Sequence, residues 1–451
     1  MIIEFVNHAS FILEHNGLRI ITDPWLFGSA FNDGWDLLCP SHYDIENFYT
    51  IDYIWFSHEH PDHFSPPVLM AIPEAIRKSI TVLFQWTKDK KVITYCSKLG
   101  FKVQELEDHI RYDLGSGIEV MGSNVLFFDS WLCFFVDGKK ILNVNDCVVD
   151  GELKAEKIKK YTGEVDVLFT QFSYAAWKGG QNDRLFRKES AAKKLQTVKK
   201  QIEIFHPTYT VPFASFIYFS HEENKYMNDA INTVATVSDV IQSSGSMPII
   251  LFPGEQWNIG EFRDNHNSVQ DYRQQYDAIP NKHYHKPGNS VSEEELFRRC
   301  NDYLKKIYAK NSKLLIAIIR HVPVLNFFRP LDVLLYDHSQ IYRFDIQKGL
   351  QKKSGSGYDV KMHSENLSYV FRFDWGYDTL TVNGRFEATL AGFAKMSKNF
   401  ALGPLNNTGR YVNLSLFFDY QIIRTFLSAM SDFLRRMKRA RTIEKYAGPQ
   451  S

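Results

Sequence analysis

Cysteine is scarce in this chain: five residues in 451 (Cys39, Cys96, Cys133, Cys147 and Cys300), an odd number, widely separated, with no CxxC or CxH pair. That spacing argues against a disulfide scaffold, a zinc ribbon and a Rieske cluster. Long apolar runs are missing as well. The most apolar stretch, residues 314–325, is interrupted by Arg320 and His321, and it is shorter than the roughly 18–20 residues a membrane span needs. The opening MIIEFVNHASFILEHNG carries Glu4 and His8 where a signal peptide needs an unbroken apolar core. Nor does one sign of charge dominate. Lys and Arg number 53 against 52 Asp and Glu, a net charge of +1, which removes any global electrostatic case for a nucleic-acid partner. The expectation is a soluble protein of the reducing cytoplasm.

What is present is material for a core. Hydrophobic residues make up 44% and aromatic residues 15%, including 35 Phe and 23 Tyr. The length corresponds to two or three domains at about 150 residues each. Short β-branched runs at 2–6, 9–14 and 18–22 read as strands, with His15-Asn16-Gly17 as a hairpin turn. Residues 53–57 (YIWFS) form a compact run of the buried-strand type, and 66–78 have helical spacing behind Pro66. Further strands are expected at 81–84, 118–120, 125–128, 132–136, 141–144, 165–170 and 209–212, with a Lys-rich amphipathic helix over 189–204. Strands alternating with helices point to an α/β domain over 1–235. A connecting segment with a helix follows over 236–330. Within it, 254–292 read as a long surface connection, and a helix over 293–309 is capped by Ser292. Residues 331–451 read as a β-meander (VLLYD, QIYRFDIQ, YDVKMH, LSYVFRF, TLTVNGRF) and a final basic helix over 420–445.

The chemistry concentrates in Ser57-His58-Glu59-His60-Pro61-Asp62-His63, directly after a strand: three imidazoles and two carboxylates within six residues. At a strand end the chain turns and aims alternate side chains into one pocket. His58 and His60 then face one metal, while Asp62 and His63 face a neighbour. Weaker candidates surround this run. His8, in an apolar hairpin, reads equally as a residue facing the pocket or as a core histidine. Lys178 and Tyr174, after the 165–170 strand, are placed to grip an anionic substrate, against the plainer reading of a glycine turn with a solvated lysine. The basic end of the last helix (Arg435, Arg436, Lys438, Arg439, Arg441, Lys445) suits that helix's own dipole, with a peripheral contact to an anionic membrane as the sharper alternative.

The HxHxDH run is the signature of the metallo-β-lactamase superfamily, and the chain resembles it elsewhere, at Asn7-His8-Ala9-Ser10, Asn16-Gly17 and Thr22-Asp23-Pro24-Trp25. The implied fold is the αββα sandwich, here with a C-terminal α+β extension. The resemblance implies that Asp23 steadies the metal-binding loop from behind. It also implies that Asp146, ending Ile141-Leu142-Asn143-Val144-Asn145-Asp146, bridges two metals. Two positions depart from the family pattern. Asp129 stands where a third histidine is usual, and Phe213-Ala214-Ser215 where a last one follows a strand, so the nearest replacement is His221. The sequence is similar, more narrowly, to the metallo-β-lactamase-like part of CMP-N-acetylneuraminate hydroxylases. That resemblance rests on Asp23-Pro24-Trp25-Leu26, Gly28-Ser29-Ala30-Phe31, Gly34-Trp35, Asp146-Cys147, Pro212-Phe213-Ala214 and Ser220-His221. Those enzymes carry a Rieske domain and this sequence shows none, so substrate and reaction are not carried over.

The implied ligand set is His58, His60, Asp62, His63, Asp129 and Asp146, with His221 as a further candidate; Asp62, His63 and Asp146 would be the catalytic members. Three carboxylates suit two iron or manganese ions better than zinc. The expectation is therefore a dinuclear oxygenase acting on a polar, anionic small molecule, with electrons from a separate Rieske or ferredoxin donor. A dinuclear hydrolase that cleaves a phosphoester, amide or lactone by metal-activated water is the alternative. A metal-poor binding module is the third reading. The dense acidic and imidazole run opposes it, since such groups without a metal to neutralise them cost stability.

Overall fold

The computed structural model describes residues 1–125, 129–322 and 325–414. Two seven-stranded sheets face each other. The first runs in the order Gln256–Asn258, Ile2–Asn7, Ser10–His15, Leu18–Thr22, Tyr53–Phe56, Thr81–Gln85, Lys102–Leu106. The second runs Met247–Pro248, Tyr209–Phe213, Val167–Gln171, Lys139–Asn145, Asp129–Val136, Ile118–Val125, Arg111–Gly115. Several antiparallel hairpins of these sheets, such as Ser10–His15 with Leu18–Thr22 and Asp129–Val136 with Lys139–Asn145, close through positive-φ turns. Asn16 and Gly17 (φ 47° and 80°) are one such pair, as NG between two apolar runs demands. The parallel strands end at one common edge of the sandwich, and loops that leave this edge carry the histidine-rich run and Asp146.

Phenylalanines fill the space between the sheets. Phe11 stacks on Phe169 at 4.3 Å, with Phe134 and Phe213 edge-on around it. Val68, Leu69, Val92 and Cys96 cover the outer face of the first sheet from short helices. Val198, Ile202 and Phe205 of the helix Arg184–Phe205 cover the second. The result is the αββα arrangement the sequence predicted.

The rest of the described chain forms a five-stranded sheet, in the order Gly349–Lys353, Gln340–Asp345, Leu331–Leu335, Val360–Met362, Glu387–Ala388, packed with helices that include Glu293–Lys310, Ser364–Arg372 and Leu390–Phe400. Its core is continuous with Trp25, Phe31, Trp35, Trp177 and Phe219 of the first half. A buried polar clasp ties the two halves. Asn224 Nδ2 donates to the Gly34 and Asn383 carbonyls (2.9 and 2.7 Å), and Asn383 Nδ2 to Phe31 O (3.0 Å). The buried Arg385 reaches Glu223, Glu365 and Asn32 O. Gly34 lies so close that a Cβ there would stand 2.3 Å from Asn383 Cβ, an atom with no rotamer to escape into. Gly34→Ala is expected to cost about 1–3 kcal/mol through overpacking. Urea unfolding tests this, and an unchanged midpoint contradicts it.

Several elements differ from the sequence reading. Pro73 splits the helix expected at 66–78 into Pro66–Ala71 and Glu74–Arg77. The supposed surface connection 254–292 holds an edge strand paired with Ile2–Asn7 and the helix His266–Asp277, whose Tyr272 is fully buried. LSYVFRF lies largely in the helix Ser364–Arg372, not in a strand. Leu367, Val370 and Phe371 are spaced for a helical face, and short apolar runs fit both periods. The apparent Asn383-Gly384 hairpin turn is a helix end, with Gly384 (φ 65°) as its left-handed cap. The basic helix expected at 420–445 lies outside the described residues. Among the described residues, no helix is long and apolar enough to cross a membrane.

Candidate metal centre

The strand Tyr53–Phe56 delivers the chain to the sandwich edge, where Ser57 and His58 are wholly buried. Asp23, at the end of the neighbouring strand, organises the turn. Its Oδ1 accepts from Ser57 N (2.8 Å), and its Oδ2 accepts from Ser57 Oγ (2.7 Å) and Asn145 Nδ2 (2.6 Å). His63 Nδ1 lies 3.0 Å from the same Oδ2, so its N–H donates there and Nε2 is left to face the site. The Ser57 hydroxyl in turn lies 2.9 Å from His58 Nδ1, which turns His58 Nε2 inward. Asp23 therefore occupies the supporting place the resemblance implied.

Inside this frame five of the expected residues converge. His58 Nε2 and His60 Nδ1 are 2.9 Å apart. Asp146 Oδ2 lies 3.8 Å from His58 Nε2 and 3.7 Å from His63 Nε2, between the two imidazole positions. Asp62 Oδ2 stands 3.2 Å from His63 Nε2. Donors held by one ion at 2.0–2.1 Å in a tetrahedron stand roughly 3.3–3.4 Å apart. Asp62 Oδ1, His63 Nε2 and Asp146 Oδ1 are buried atoms without a hydrogen-bond partner. Buried polar atoms are almost always paired, so three orphans on neighbouring side chains suit a cation that would engage them.

Without an ion, the members of the group offset one another's charge. Burial lowers the His58 and His60 imidazoles, leaving them neutral donors, and the neighbouring carboxylates do not reverse this. Burial would also lower His63, but Asp62, Asp146 and Asp23 hold it well above the usual range. Burial would raise Asp62, yet His63 and His8 hold its carboxyl well below its ordinary range. Asp129 is pushed well above that range by burial and by Asp146. A cation beside Asp146 would offset the charge that acts on Asp129.

His221 is a correction to the sequence reading. Its Nδ1 faces Glu223 Oε2 at 3.4 Å, and its segment is bridged to His285. Burial and Arg385 lower it to about 3. The clasp between the halves holds it, and the structure does not bring it to the His58 group. Tyr174 is also engaged elsewhere, donating to the Met227 carbonyl.

Four residues in or near the site escaped the sequence reading of its chemistry or were left open by it. Asn145 crosses to Asp23 and Ser57, and its position just before Asp146 was the available signal. Lys194 donates to Gln171 at the end of a central strand. Burial lowers it, while Asp146, Asp150 and Asp129 partly offset that effect. Lys178 is lowered by burial and by Lys194 and Lys193. Nothing distinguishes Lys194 from its neighbours in a Lys-rich helix. His8 reaches the group as well, with Nε2 3.2 Å from Asp62 Oδ2.

Residues 2–182 match the family model described as the beta-lactamase superfamily domain. With the two facing sheets and the HxHxDH loop at their edge, this part of the chain has the metallo-β-lactamase fold. Among curated proteins, the chain is 27% identical over 245 residues to the cytidine monophosphate-N-acetylneuraminic acid hydroxylase of Xenopus laevis. That match covers 50% of this chain and 40% of the relative, so the similarity spans well under half of that enzyme's length. Among solved structures, the diiron β-hydroxylase CmlA of Streptomyces venezuelae is 16% identical with a TM-score of 0.39, over 57% of this chain and 54% of that one. An isothiocyanate hydrolase from Delia radicum gut bacteria is 17% identical with a TM-score of 0.41, over 58% of this chain and 100% of that one.

Proposed function

We propose that this chain is a dinuclear metalloenzyme, an iron-dependent oxygenase that hydroxylates a polar, anionic small molecule with electrons from a separate Rieske- or ferredoxin-type protein. One observation carries the reading: two carboxylates, Asp62 and Asp146, stand among the three imidazoles, and the sequence sets a third, Asp129, where a histidine is usual. Burial and the charge of Asp146 raise the Asp129 carboxyl, and His221 lies against Glu223. Hard, anionic donors suit iron or manganese and stabilise their higher oxidation states, whereas zinc hydrolysis favours more imidazole. The sequence relatives named as hydroxylases support the same direction.

In this reading His58, His60 and Asp129 would hold one ion and Asp62 and His63 the other, with Asp146 shared between them. The bound pair supplies the activation of dioxygen. The protein's own groups do the rest. Asp146, less buried than the rings, opens the centre to the rim. Phe31, edge-on to His60 at 5.6 Å, and Trp25, packed on His8, wall it against water. Lys178 and Lys194, two half-buried ammonium groups that repel each other, receive a carboxylate or phosphate of the substrate.

The test is the metal content of protein from cells grown with both iron and zinc, followed by EPR on partial reduction. About two irons per chain with a mixed-valence signal is the expected result. Two zincs, silent to reductant, would overturn the oxygenase and select the hydrolase that uses metal-activated water.

A further inference from the structure

His8 is a residue for which neither the HxHxDH run nor its implied partners account. It sits where the first strand turns into the second, past a register irregularity between Phe5 and Asn7, with φ at 28°, unusual for a residue with a Cβ. Its carbonyl accepts from Ala214 N (2.8 Å), at the end of a strand in the opposite sheet. Its ring packs edge-on against Trp25 (5.7 Å) and His63 (5.8 Å). Backbone and ring are thus pinned from both sheets, in a conformation that persists only where the surroundings over-determine it.

Two ring nitrogens approach Asp62 Oδ2 at the same distance of 3.2 Å, and they do so differently. His8 Nε2 is aligned as a hydrogen bond to that oxygen. His63 Nε2 is not, and remains without a hydrogen-bond partner. A nitrogen whose N–H points at the carboxylate cannot offer its lone pair to an ion beside it. The other ring nitrogen agrees. His8 Nδ1 is buried without a partner. Were Nε2 a metal ligand, the proton would move to Nδ1 and leave a buried donor unmade, which costs about 1–3 kcal/mol. With the proton on Nε2, Nδ1 is merely an unused acceptor.

The geometry points to His8 as a positioning residue that donates from Nε2 to Asp62 and so fixes this carboxylate as a ligand of the second ion. The inference rests on the dinuclear reading above and goes beyond it. With Phe213 and Ala214 where another imidazole would stand, and His221 held elsewhere, the second ion has few donors. Its affinity then depends on how firmly those few are held. A hydrogen bond from His8 directs one lone pair of Oδ2 away from the ion and keeps the carboxylate from swinging.

The experiment is equilibrium dialysis of the metal-free full chain against zinc or cobalt(II), with the absorption of bound cobalt followed in parallel, for the wild type, His8→Ala and His8→Gln. The wild type is expected to take two equivalents. His8→Ala should lose about 10–100-fold in affinity for the weaker one alone, the usual effect of deleting a hydrogen-bond partner of a ligand. His8→Gln keeps an N–H at similar reach and should recover most of the loss. Unchanged binding in His8→Ala would overturn the inference while leaving two metals in place. So would a His8→Gln variant as weak as His8→Ala, since the imidazole itself would then be required. A wild type that takes fewer than two equivalents would instead remove the dinuclear reading and the inference with it. Should His8→Ala fail to fold, His8→Gln decides: wild-type affinity supports the donor role and a weakened second site refutes it.

Discussion

Asp146→Ala is expected to release at least one of the two ions and to abolish turnover, while the metal-free chain keeps its fold. Asp146 Oδ2 lies within 3.8 Å of His58 Nε2 and 3.7 Å of His63 Nε2, two rings that belong to opposite ends of the HxHxDH run. Burial works against its charge, and His58 and His63 outweigh burial, so the carboxyl stays below its ordinary range. Its second oxygen has no partner. Loss of a hydrogen-bond partner to a ligand typically costs about 10–100-fold in metal affinity, and loss of the bridging group itself should exceed that. The metal-free variant has less to lose, because removing Asp146 relieves its repulsion with Asp129 and Asp62. Metal analysis beside a thermal melt separates the two effects. A variant that retains two tightly bound ions would refute the bridging role.

Asp23→Ala carries the second large effect, this time on the protein as well as the site. The carboxylate is buried and accepts from Ser57 N, Ser57 Oγ, Asn145 Nδ2 and His63 Nδ1. Alanine would take the buried acceptor from all four, and would strand Ser57 N outright while Ser57 Oγ and Asn145 Nδ2 keep only each other and the neighbouring rings. Breaking a buried charged network by removing one partner typically costs about 3–5 kcal/mol. The metal-binding loop would also lose the contact that holds His63 Nε2 toward the site. The expectation is a lower urea midpoint for the metal-free protein and loss of the ion held by Asp62 and His63. Asp23→Asn keeps one acceptor oxygen and should fall between. An Asp23→Ala chain with wild-type stability would show that the network is incidental.

The legibility of this protein followed the range of the interactions. The hairpins at Asn16-Gly17 and the buried Tyr53–Phe56 strand were readable because turn chemistry and apolar runs are local. Short apolar runs failed where local signals are degenerate. LSYVFRF fits both a strand and the face of Ser364–Arg372, and Asn383-Gly384 fits both a hairpin turn and a helix end. Gln256–Asn258 was missed because an edge strand of three residues has little pattern of its own. It forms because Ile2–Asn7 offers it a partner.

The same division holds at the centre. The sequence alone determined the donor run, since His58, His60, Asp62 and His63 lie within one turn of chain and any fold that ends a strand there brings them together. Through resemblance it also pointed to Asp23, Asp129 and Asp146. Tertiary structure alone decided which distant groups join them. His8 meets Asp62 across 54 residues and Asn145 meets Asp23 across 122. The register of two sheets and the depth at which they pack set those meetings, and no local pattern encodes either. Structure likewise removed His221, because the clasp of Asn224, Arg385 and Glu223 turns its segment toward the C-terminal half. A residue's chemistry is written in its type, but its neighbours are settled only when the chain has closed on itself.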